Sequence, residues 1–449
     1  MTPTPEGLKP LAARLPRLGF GAAPIGNLYA PVSDGQAFEA VAEALAAGVT
    51  YFDTAPHYGF GLSESRLGAA LAQLDPGETT LVSTKVGRIL RPIADPDAHE
   101  LRHGFANANP FEPVFDYSYD AVLRSVDESR QRLQRSRIDM LLVHDLGQLT
   151  HGDEHERLFT QFMDGGYRAL RALRDSGEVG AIGLGVNEWQ AAEQLLAVAD
   201  LDVILLAGRY TLLEQGALDS FLPLCAQRGV SVVIGGPFNS GVLARGAGGQ
   251  PRSRYNYETA PTDVLARVDR LEAVCARFGV PLAAAALQFP LAHSAVAGVI
   301  AGLSSAAEVA TARQLIDLAI PSALWEALGE EGLIDARSPT PTETMTARAA
   351  ANPLILLSEA DNVLVSAGAI VRGQPLVIDG ETFSAPQDIP VGHKVARRAL
   401  QPGEKVLKYG APIGSMLTPA APGTWVHSHN LTSDYIASHG RAVVGGEQE

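Results

Sequence analysis

Four polar side chains that could exchange a proton follow apolar runs in the first third of the chain. Asp53 ends the run Tyr51–Asp53, Tyr58 lies in the turn beyond it, and Lys85 and His144 end two later runs. A tyrosine has an unperturbed pKa of about 10, and a neighbouring cation favours its ionised form. The pattern predicts that Lys85 lowers the pKa of Tyr58, which then acts as general acid and base. Taken singly, these residues would be a cap, a core tyrosine and a solvated lysine.

The runs that end in these residues alternate with amphipathic helical patterns. Ser33 and Asp34 can cap the first helix, and Ser63 and Glu64 are the expected N-cap of the helix over 65–71. Further strands are predicted over 80–84, 140–144, 181–186, 203–206, 231–234 and 296–300. About eight strand–helix units with continuously apolar strands favour an α/β fold of the (β/α)8 TIM-barrel type over an open sheet. The four residues fall at the carboxyl ends of strands, where such barrels have their active sites.

Composition restricts the classes of partner and of site. The chain has 449 residues, which is long for one core, and its net charge of -15 argues against nucleic acid and anionic membranes as partners. Cys225 and Cys275 lie in apolar helical patterns, so we expect buried free thiols rather than disulfides or a thiolate zinc site. The first 15 residues lack an apolar signal-peptide core, and no run is long enough to span a membrane, so a cytoplasmic location is expected.

The predicted barrel carries two long insertions and is followed by a region of different character. The stretch 88–113 is rich in proline and is expected to be an irregular substrate loop, and a second loop covers 235–256. Beyond residue 335 the helical periodicity ends, and short alternating runs are separated by glycine and proline turns. We therefore expect a barrel over 1–335, a linker over 336–352 and a small, mainly β domain over 353–449.

The four residues, with their neighbours, resemble the catalytic tetrad of the aldo-keto reductases. The matching segments are Phe52–Ala55 with Tyr58-Gly59, Ser83–Lys85, and Ile138-Asp139 running to His144-Asp145. The resemblance extends over about residues 17–320. It implies a nicotinamide cofactor, hydride transfer, and catalytic roles for Asp53, Tyr58, Lys85 and His144.

Further positions match the cofactor segments of that family. Asn187 corresponds to the amide that binds the nicotinamide carboxamide, although it could also cap the helix that follows, and Tyr210 corresponds to an aromatic that stacks on the nicotinamide ring. The usual glutamine three residues before that aromatic is Ala207 here. The pyrophosphate loop would use Gly236, Phe238, Ser240, Gly241 and Leu243, and the adenosine-side phosphate would use Gly302, Ser304 and Ser305. Because the segment 301–312 has no Lys or Arg and contains Glu308, NAD is expected in preference to NADP.

Segments 19–27, 86–88 and 116–120 resemble one branch of the family, the L-fucose and D-threo-aldose 1-dehydrogenases and the pyridoxal dehydrogenases. The resemblance implies oxidation of the anomeric carbon of an aldose to a lactone, with Trp189, Arg88 and Arg209 as candidate substrate contacts. Two alternatives stay open. One is an oxidoreductase for pyridoxal or simple aldehydes, and the other is a nucleotide-binding scaffold subunit of a dehydratase complex.

The carboxyl-terminal region contains a second set of motifs. The segments Ile389–Ala396, Lys408–Gly414 and Trp425–Asn430 resemble the SAF-type domain of altronate and galactarate dehydratases and of sulfolactate sulfo-lyase. On a strand, His427 and His429 would share one face, which suits a metal ion or an acidic sugar, although a polar strand end is equally compatible. The resemblance implies an accessory module that docks a separate large dehydratase subunit.

Overall fold

The chain divides into two compact units, Met1–Thr346 and Ala347–Glu449. The structure, a computed structural model, describes residues 14–94, 101–246, 248, 254–256, 258–341, 354–358, 360–366, 370–379, 381–390, 392–408 and 410–432. Buried apolar clusters form separately within each unit, two in the first and two in the second.

Alternating strands and helices make up the first unit. Its strands are β1 (Leu18–Gly21), β2 (Tyr51–Asp53), β3 (Leu81–Val86), β4 (Arg88–Pro92), β5 (Leu101–Arg102), β6 (Phe105–Ala106), β7 (Phe111–Phe115), β8 (Ile138–His144), β9 (Val179–Val186), β10 (Val203–Ala207), β11 (Ser231–Gly235), β12 (Arg254–Tyr255), β13 (Glu258–Thr259) and β14 (Val296–Gly302). Its α-helices are α1 (Asp34–Ala46), α2 (Leu62–Leu74), α3 (Tyr119–Leu133), α4 (Gln148–His151), α5 (His155–Gln161), α6 (Tyr167–Asp175), α7 (Trp189–Val198), α8 (Phe221–Arg228), α9 (Val242–Arg245), α10 (Thr262–Arg277), α11 (Leu282–Gln288), α12 (Ala306–Asp317) and α13 (Ser322–Glu330).

Eight of these strands close a parallel barrel in the order β1, β14, β11, β10, β9, β8, β3, β2. The predicted fold class is therefore confirmed. The register sets Asp53 beside Ser83, Lys85 beside Leu142, and His144 beside Gly185. Because all strands run the same way, these side chains lie near one rim of the barrel.

The first barrel strand, Leu18–Gly21, is not among the strands predicted from the sequence, because two of its four residues are glycines. Those glycines are needed for packing inside the barrel. A Cβ at Gly19 would lie 2.8 Å from the Tyr51 ring, and a Cβ at Gly21 would lie 2.8 Å from the Ile300 side chain. Small residues here let β1 pair with both β14 and β2 and close the barrel.

The start of α2 differs from the prediction. The helix begins at Leu62 with Gly61 as the N-cap, in a left-handed conformation (φ 90°), so Ser63 and Glu64 are not caps. Ser63 is fully buried and donates a hydrogen bond of 2.7 Å to the Ala22 carbonyl. Glu64 is also buried, and it pairs with Arg132 at 2.7 Å. Both polar side chains therefore bind partners inside the protein and do not cap the helix.

The stretch 88–113, predicted to be irregular, contains regular structure. Strand β4 pairs with β7, and β5 pairs with β6, both antiparallel. Two of its prolines, Pro92 and Pro113, lie within the ladder of β4 and β7, because proline is tolerated in two-stranded edges such as this one. The first and last segments of the insertion, β4 and β7, therefore pair with each other, and β4 begins two residues after β3 ends.

Two properties of the outer helices bear on the sequence predictions. Cys225 on α8 and Cys275 on α10 are buried free thiols, as expected. Within the described residues, no single helix combines the length and apolar composition needed to cross a membrane. The pair Thr262–Arg277 and Leu282–Ala292 meets that test only when taken together, across a bend of 99°.

The second unit consists of short strands. They are β15 (Leu354–Ile355), β16 (Val363–Ser366), β17 (Pro375–Ile378), β18 (Glu381–Ser384), β19 (Lys394–Ala396), β20 (Lys405–Lys408), β21 (Ala411–Met416), β22 (Trp425–Val426) and β23 (Leu431–Thr432). They form sheets in the orders β15-β16-β19-β22, β17-β18 and β20-β21-β23. This agrees with the predicted small, mainly β domain.

Candidate active site

A cavity of about 460 Å³ opens where β3, β8, β9 and β10 end. Its walls carry both polar and apolar side chains. They are Ala23, Leu28, Tyr29, His57, Tyr58, Lys85, Arg88, Leu101, His103, Gly104, Phe105, His144, Asp145, Gly185, Val186, Asn187, Leu205, Ala207 and Arg254. Three members of the predicted tetrad thus line one cavity, and the fourth, Asp53, lies behind Lys85.

The Lys85 ammonium is held by two oxygens. Its Nζ donates to the Asp53 carboxylate at 2.8 Å and to the Thr54 carbonyl at 2.8 Å. Both Lys85 and Asp53 are almost completely buried, with side-chain exposures of 2% and 6%. Burial lowers the pKa of Lys85, but Asp53 and Tyr58 outweigh it and the net direction is upward. Lys85 is therefore a fixed cation at neutral pH.

Two hydroxyl groups that the sequence analysis missed hold Asp53 in place. Ser83 Oγ donates to Asp53 Oδ1 at 2.6 Å, and the Tyr51 hydroxyl lies 2.9 Å from the same Oγ. Tyr51, Asp53 and Ser83 lie two residues apart or opposite one another on adjacent strands, so their side chains point into the barrel together. The alternation of side chains along β2 and β3 could have identified Tyr51 and Ser83 as partners of Asp53 from the sequence.

Tyr58 lies between the cation and an imidazole. Lys85 Nζ is 4.6 Å from the centroid of its ring, and the His144 ring meets it edge-on at 5.9 Å. Burial raises the pKa of Tyr58 above its usual value, and Lys85 opposes that rise without reversing it. The prediction that the pKa of Tyr58 is lowered is therefore wrong as a net effect. The loss of water around the buried phenol raises the pKa by more than the Lys85 ammonium lowers it.

His144 is buried with 6% exposure, and its backbone carbonyl accepts a hydrogen bond of 2.8 Å from the Tyr117 hydroxyl. Burial lowers the pKa of His144 well below its usual value, and the nearby cations Arg88 and Lys85 add to that effect. The imidazole is therefore neutral across the physiological range. A neutral imidazole can donate a hydrogen bond to a substrate oxygen without adding a second positive charge.

Arg88, a predicted substrate contact, lines the cavity in a fixed position. Its guanidinium pairs with Asp145, approaches His57 Nε2 at 3.2 Å, and stacks over the Phe115 ring at 4.7 Å. Burial, with Arg88 as the next cause, lowers the pKa of His57 to about 2. Asp145 and His57 were not singled out from the sequence. Asp145 directly follows His144 and His57 directly precedes Tyr58, and adjacency to tetrad residues was the only signal for them.

Of the predicted cofactor residues, Asn187 lines the cavity and Tyr210 does not. Tyr210 is fully buried and packs on Phe289, with ring centroids 5.4 Å apart, and on His293 at 5.9 Å. The expectation that its ring stacks on a nicotinamide is therefore wrong here, because the ring belongs to the layer between barrel and helices. Asn187 is not the cap of α7 either, since Glu188 holds that position.

The predicted pyrophosphate loop directly follows β11. Gly236 (φ 57°) and Gly241 (φ 101°) adopt left-handed conformations that permit its turns. Asn239 Nδ2 donates to the Gly208 carbonyl at 3.1 Å, which ties the loop to the end of β10. Phe238 and Ser240 are half-buried, and Leu243 is buried in α9. The loop thus lies on the same rim as the tetrad, outside the cavity itself.

The predicted phosphate segment lies between β14 and α12. Gly302 is exposed, and Ser305 caps α12 by accepting from the Glu308 backbone N–H. The backbone N–H and the hydroxyl of Ser304 both donate to the Glu308 carboxylate, at 2.7 and 2.8 Å. A carboxylate therefore already accepts from Ser304, one of the residues that were expected to bind the adenosine-side phosphate.

The other two predicted substrate contacts lie away from the cavity. Trp189, at the first turn of α7, packs against the barrel's outer core, and Arg209 donates to Asn256 Oδ1 at 2.7 Å. Neither is among the described residues that line the cavity. Neither side chain reaches this cavity, because Trp189 packs in the outer core and the Arg209 guanidinium is held by Asn256.

In the second unit, His427 and His429 are not on a strand. Strand β22 ends at Val426, and residues 427–430 form a turn in which the Asn430 side chain accepts from the His427 N–H at 2.9 Å. Their rings stack with centroids 6.4 Å apart, close to Trp425 and His393. No group of three or more His, Cys, Asp or Glu side chains in the described part of the chain is arranged to hold a metal ion.

Comparison with known proteins assigns both units. A sequence model of the Aldo/keto reductase family matches residues 17–330, and one of the Altronate/galactarate dehydratase SAF domain matches residues 352–434. The chain is 45% identical to pyridoxal 4-dehydrogenase of Microbacterium luteolum, over 71% of this chain and 94% of that protein. It is 39% identical to D-threo-aldose 1-dehydrogenase of a Pseudomonas species, over 73% and 96%. In fold it is similar to the holo form of an aldo-keto reductase from Bacillus halodurans, with a TM-score of 0.56 and 24% identity, over 74% and 97%.

Proposed function

The chain belongs to the aldo/keto reductase family, with an SAF domain at its carboxyl end, and on that premise we propose that it oxidises the anomeric carbon of an aldose to a lactone. The observation that carries this proposal is the arrangement around Tyr58. A fixed cation lies below the phenol, a neutral imidazole beside it, and a cavity above it with both polar and apolar walls. Relatives named as dehydrogenases support the oxidative direction.

The reaction breaks the C1–H and O–H bonds of the anomeric carbon and forms a second carbon–oxygen bond. NAD held at this rim would supply the hydride acceptor. Tyr58, in the phenolate form that Lys85 stabilises, takes the hydroxyl proton and then releases it to solvent, which restores the phenolate; Asp53 holds Lys85 in place. His144 donates a hydrogen bond to the reacting oxygen. Asn187 on the cavity wall and the left-handed glycines at 236 and 241 fit a dinucleotide at this rim.

The first test is NADH formation, followed by absorbance, with NAD or NADP and L-fucose, D-arabinose, L-galactose or pyridoxal. We expect turnover of at least one sugar with NAD. Tyr58→Phe should lower kcat about 10²- to 10⁴-fold, the usual contribution of general acid–base catalysis. Oxidation of no sugar by folded protein that binds NAD would overturn the proposal.

A second candidate is the oxidation of pyridoxal, which the 45% identity to a pyridoxal 4-dehydrogenase favours. The same panel separates the two. Turnover of pyridoxal without turnover of any sugar would select this second function, and the opposite result would reject it.

We propose NAD rather than NADP as the cofactor because of Glu308. Its carboxylate lies at the start of α12 and accepts from Ser304, so a 2′-phosphate bound there would meet a like charge. Glu308→Ala should lower the NAD to NADP preference roughly tenfold, as expected for one removed repulsion of about 1.4 kcal/mol. Glu326→Ala, an exposed glutamate on α13, is the matched control and should leave the preference unchanged. An unchanged preference in Glu308→Ala would contradict this assignment.

For the SAF domain we propose a docking role toward a separate sugar-acid dehydratase subunit. The match of residues 352–434 to the altronate/galactarate dehydratase SAF domain supports it. The test is co-purification of the full chain with the large domain of an altronate dehydratase. Dehydration of an aldonate by the purified chain alone would overturn the proposal.

A further inference from the structure

The cavity contains a charged pair that the tetrad does not use. Arg88 and Asp145 pair beside His144, and their side chains are only 15% and 11% exposed. Both line the cavity. Withdrawing two charges from water is costly unless their polar atoms are matched, so such a pair facing an open cavity calls for an explanation beyond stability.

Arg88 is held on three sides. Phe115 packs against the face of the guanidinium at 4.7 Å, His57 Nε2 lies 3.2 Å from one terminal nitrogen, and Asp145 Oδ2 accepts from the other. Because the guanidinium is planar and always charged, these contacts fix both its position and its plane. Arg88 therefore fixes the Asp145 carboxylate in turn.

Asp145 has one oxygen to spare. Its Oδ2 serves Arg88 and lies 3.6 Å from His144 Nε2, and within the described residues nothing donates a hydrogen bond to Oδ1. The backbone at Asp145 is left-handed (φ 52°), and its N–H donates to the Gly185 carbonyl at 2.8 Å. The sharp turn thus places the carboxylate on the cavity wall, with its Oδ2 3.6 Å from the His144 Nε2 that orients the reacting oxygen.

Apolar side chains also line the cavity. Leu28, Phe105, Val186 and Leu205 are among them, and the Phe105 ring lies 6.1 Å from the Tyr58 ring. A pyranose has hydroxyl groups along its edges and C–H groups on its faces. A lining with both charged and apolar side chains can meet both kinds of surface, whereas an aldehyde without hydroxyl groups would leave Asp145 unmatched.

We propose that Asp145, held by Arg88, recognises the hydroxyl group on the carbon next to the reacting carbon, and so selects polyhydroxylated aldoses over aldehydes that lack this group. This inference rests on the proposed function and names the substrate class of the same site. His144 orients the oxygen on C1, and Asp145 accepts from the hydroxyl on C2. His144 and Asp145 would thus bind two neighbouring oxygens along the same edge of the sugar ring.

The test crosses protein variants with a substrate that lacks the hydroxyl. NAD-dependent kcat/KM is measured for L-fucose and 2-deoxy-L-fucose with the wild type, Asp145→Ala, and the double variant Arg88→Met with Asp145→Leu. The wild type should prefer L-fucose roughly 10- to 100-fold, because the lost hydrogen bond involves a charged group. Asp145→Ala should lose most of that preference, through a lower kcat/KM for L-fucose alone.

The double variant guards against misfolding, since it leaves no buried charge without a partner. It should also lose the preference. Asp75→Ala is the matched control. It breaks another buried ion pair, between Asp75 and Arg135 (3.4 Å apart), which does not line the cavity, and it should keep the preference for L-fucose. NADH-dependent reduction of propionaldehyde gives a further readout: Asp145→Ala should lower kcat/KM for L-fucose by a clearly larger factor than for propionaldehyde, which has no hydroxyl group on the carbon next to the reacting carbon.

Three results would overturn the inference. The first is a wild-type preference that persists in both Asp145 variants. The second is an equal loss on L-fucose, 2-deoxy-L-fucose and propionaldehyde, which would make the pair a support of His144 instead. The third is wild-type turnover of propionaldehyde with neither sugar oxidised, which overturns the proposed function and this subsite together. The first two leave the proposed function standing.

Discussion

The barrel and the carboxyl-terminal β unit treat their ionisable side chains in opposite ways. In the barrel, Lys85 with Asp53 and Arg88 with Asp145 are buried, and each charge has a partner of opposite sign. In the β unit, His393, His427 and His429 surround Trp425 at the surface, and His429 is exposed. The barrel fixes charges in a water-poor interior, where they act strongly on a reacting group. The β unit presents polar rings outward, which suits contact with a partner.

The sharpest test of this contrast replaces a lysine in each unit. Lys85→Met should lower kcat/KM about 10²- to 10⁴-fold and cost roughly 3–5 kcal/mol of stability, because Asp53 is left buried without its partner. Lys394→Met, which replaces a half-buried lysine on β19 of the other unit, should leave oxidation unchanged. Steady-state kinetics and urea unfolding measure both.

A double variant separates the two effects of Lys85. Asp53→Leu with Lys85→Met should recover most of the stability without recovering activity, since no charge is left unpaired. Activity within tenfold of wild type in Lys85→Met would remove the basis for the contrast.

Acid should destabilise the barrel through its buried neutral imidazoles. The pKa of His57 is lowered to about 2 and that of His144 lies well below its usual value, both chiefly because of burial. Below about pH 6.5 these two histidines bind protons in the unfolded chain but not in the folded one. The free energy of unfolding therefore decreases as the pH is lowered, by up to about 1.4 kcal/mol per pH unit for each histidine. Urea unfolding between pH 7 and 5 measures this slope, and His144→Asn should reduce it. A flat profile would contradict the prediction.

The β unit should unfold without affecting the barrel's chemistry. Leu376 is fully buried in one of its small clusters, and Leu376→Ala should cost that unit about 2–5 kcal/mol. We expect an earlier unfolding transition of the β unit and unchanged sugar oxidation at temperatures below it. Loss of oxidation in step with that transition would mean that the two units are not energetically separate.

The smallest effect is expected at the surface rings. His429→Ala should change neither oxidation nor stability by a measurable amount, because the side chain is exposed and surface substitutions usually fall within about 0.5 kcal/mol. Its effect should appear only in binding of a partner subunit. A defect in oxidation by the purified chain would show that the contrast between units is incomplete.

The sequence was informative where a short-range pattern determines the structure. Continuous apolar runs predicted seven of the barrel strands, and strand ends predicted the meeting of Tyr58, Lys85 and His144. It was uninformative where long-range packing decides. The strand Leu18–Gly21 was hidden by glycines whose role is to accommodate Tyr51 and Ile300, and the pairing of Arg88 with Asp145 joins residues 57 positions apart.

Errors in orientation have the same origin. Tyr210 lies near the end of β10, but chain position alone does not decide whether a ring faces the cavity or the helix layer, and it faces Phe289. His427 and His429 were spaced for one face of a strand, but β22 ends one residue earlier. The net pKa of Tyr58 depends on how much protein surrounds it, which no local pattern records.

The hydrogen-bonded chain from Asp53 through Ser83 to Tyr51 ends in a buried cluster inside the barrel. Tyr51 is 2% exposed, burial raises its pKa well above the usual value, and Leu81, Met140 and Ile300 belong to the same buried cluster. Tyr51 therefore keeps its proton and cannot pass one downward. For a proton that Tyr58 removes from a substrate in the proposed reaction, we therefore expect release through the cavity mouth, where substrate also enters. Release of the proton to solvent is then tied to the opening of that mouth, so solvent isotope effects should follow product release as well as chemistry.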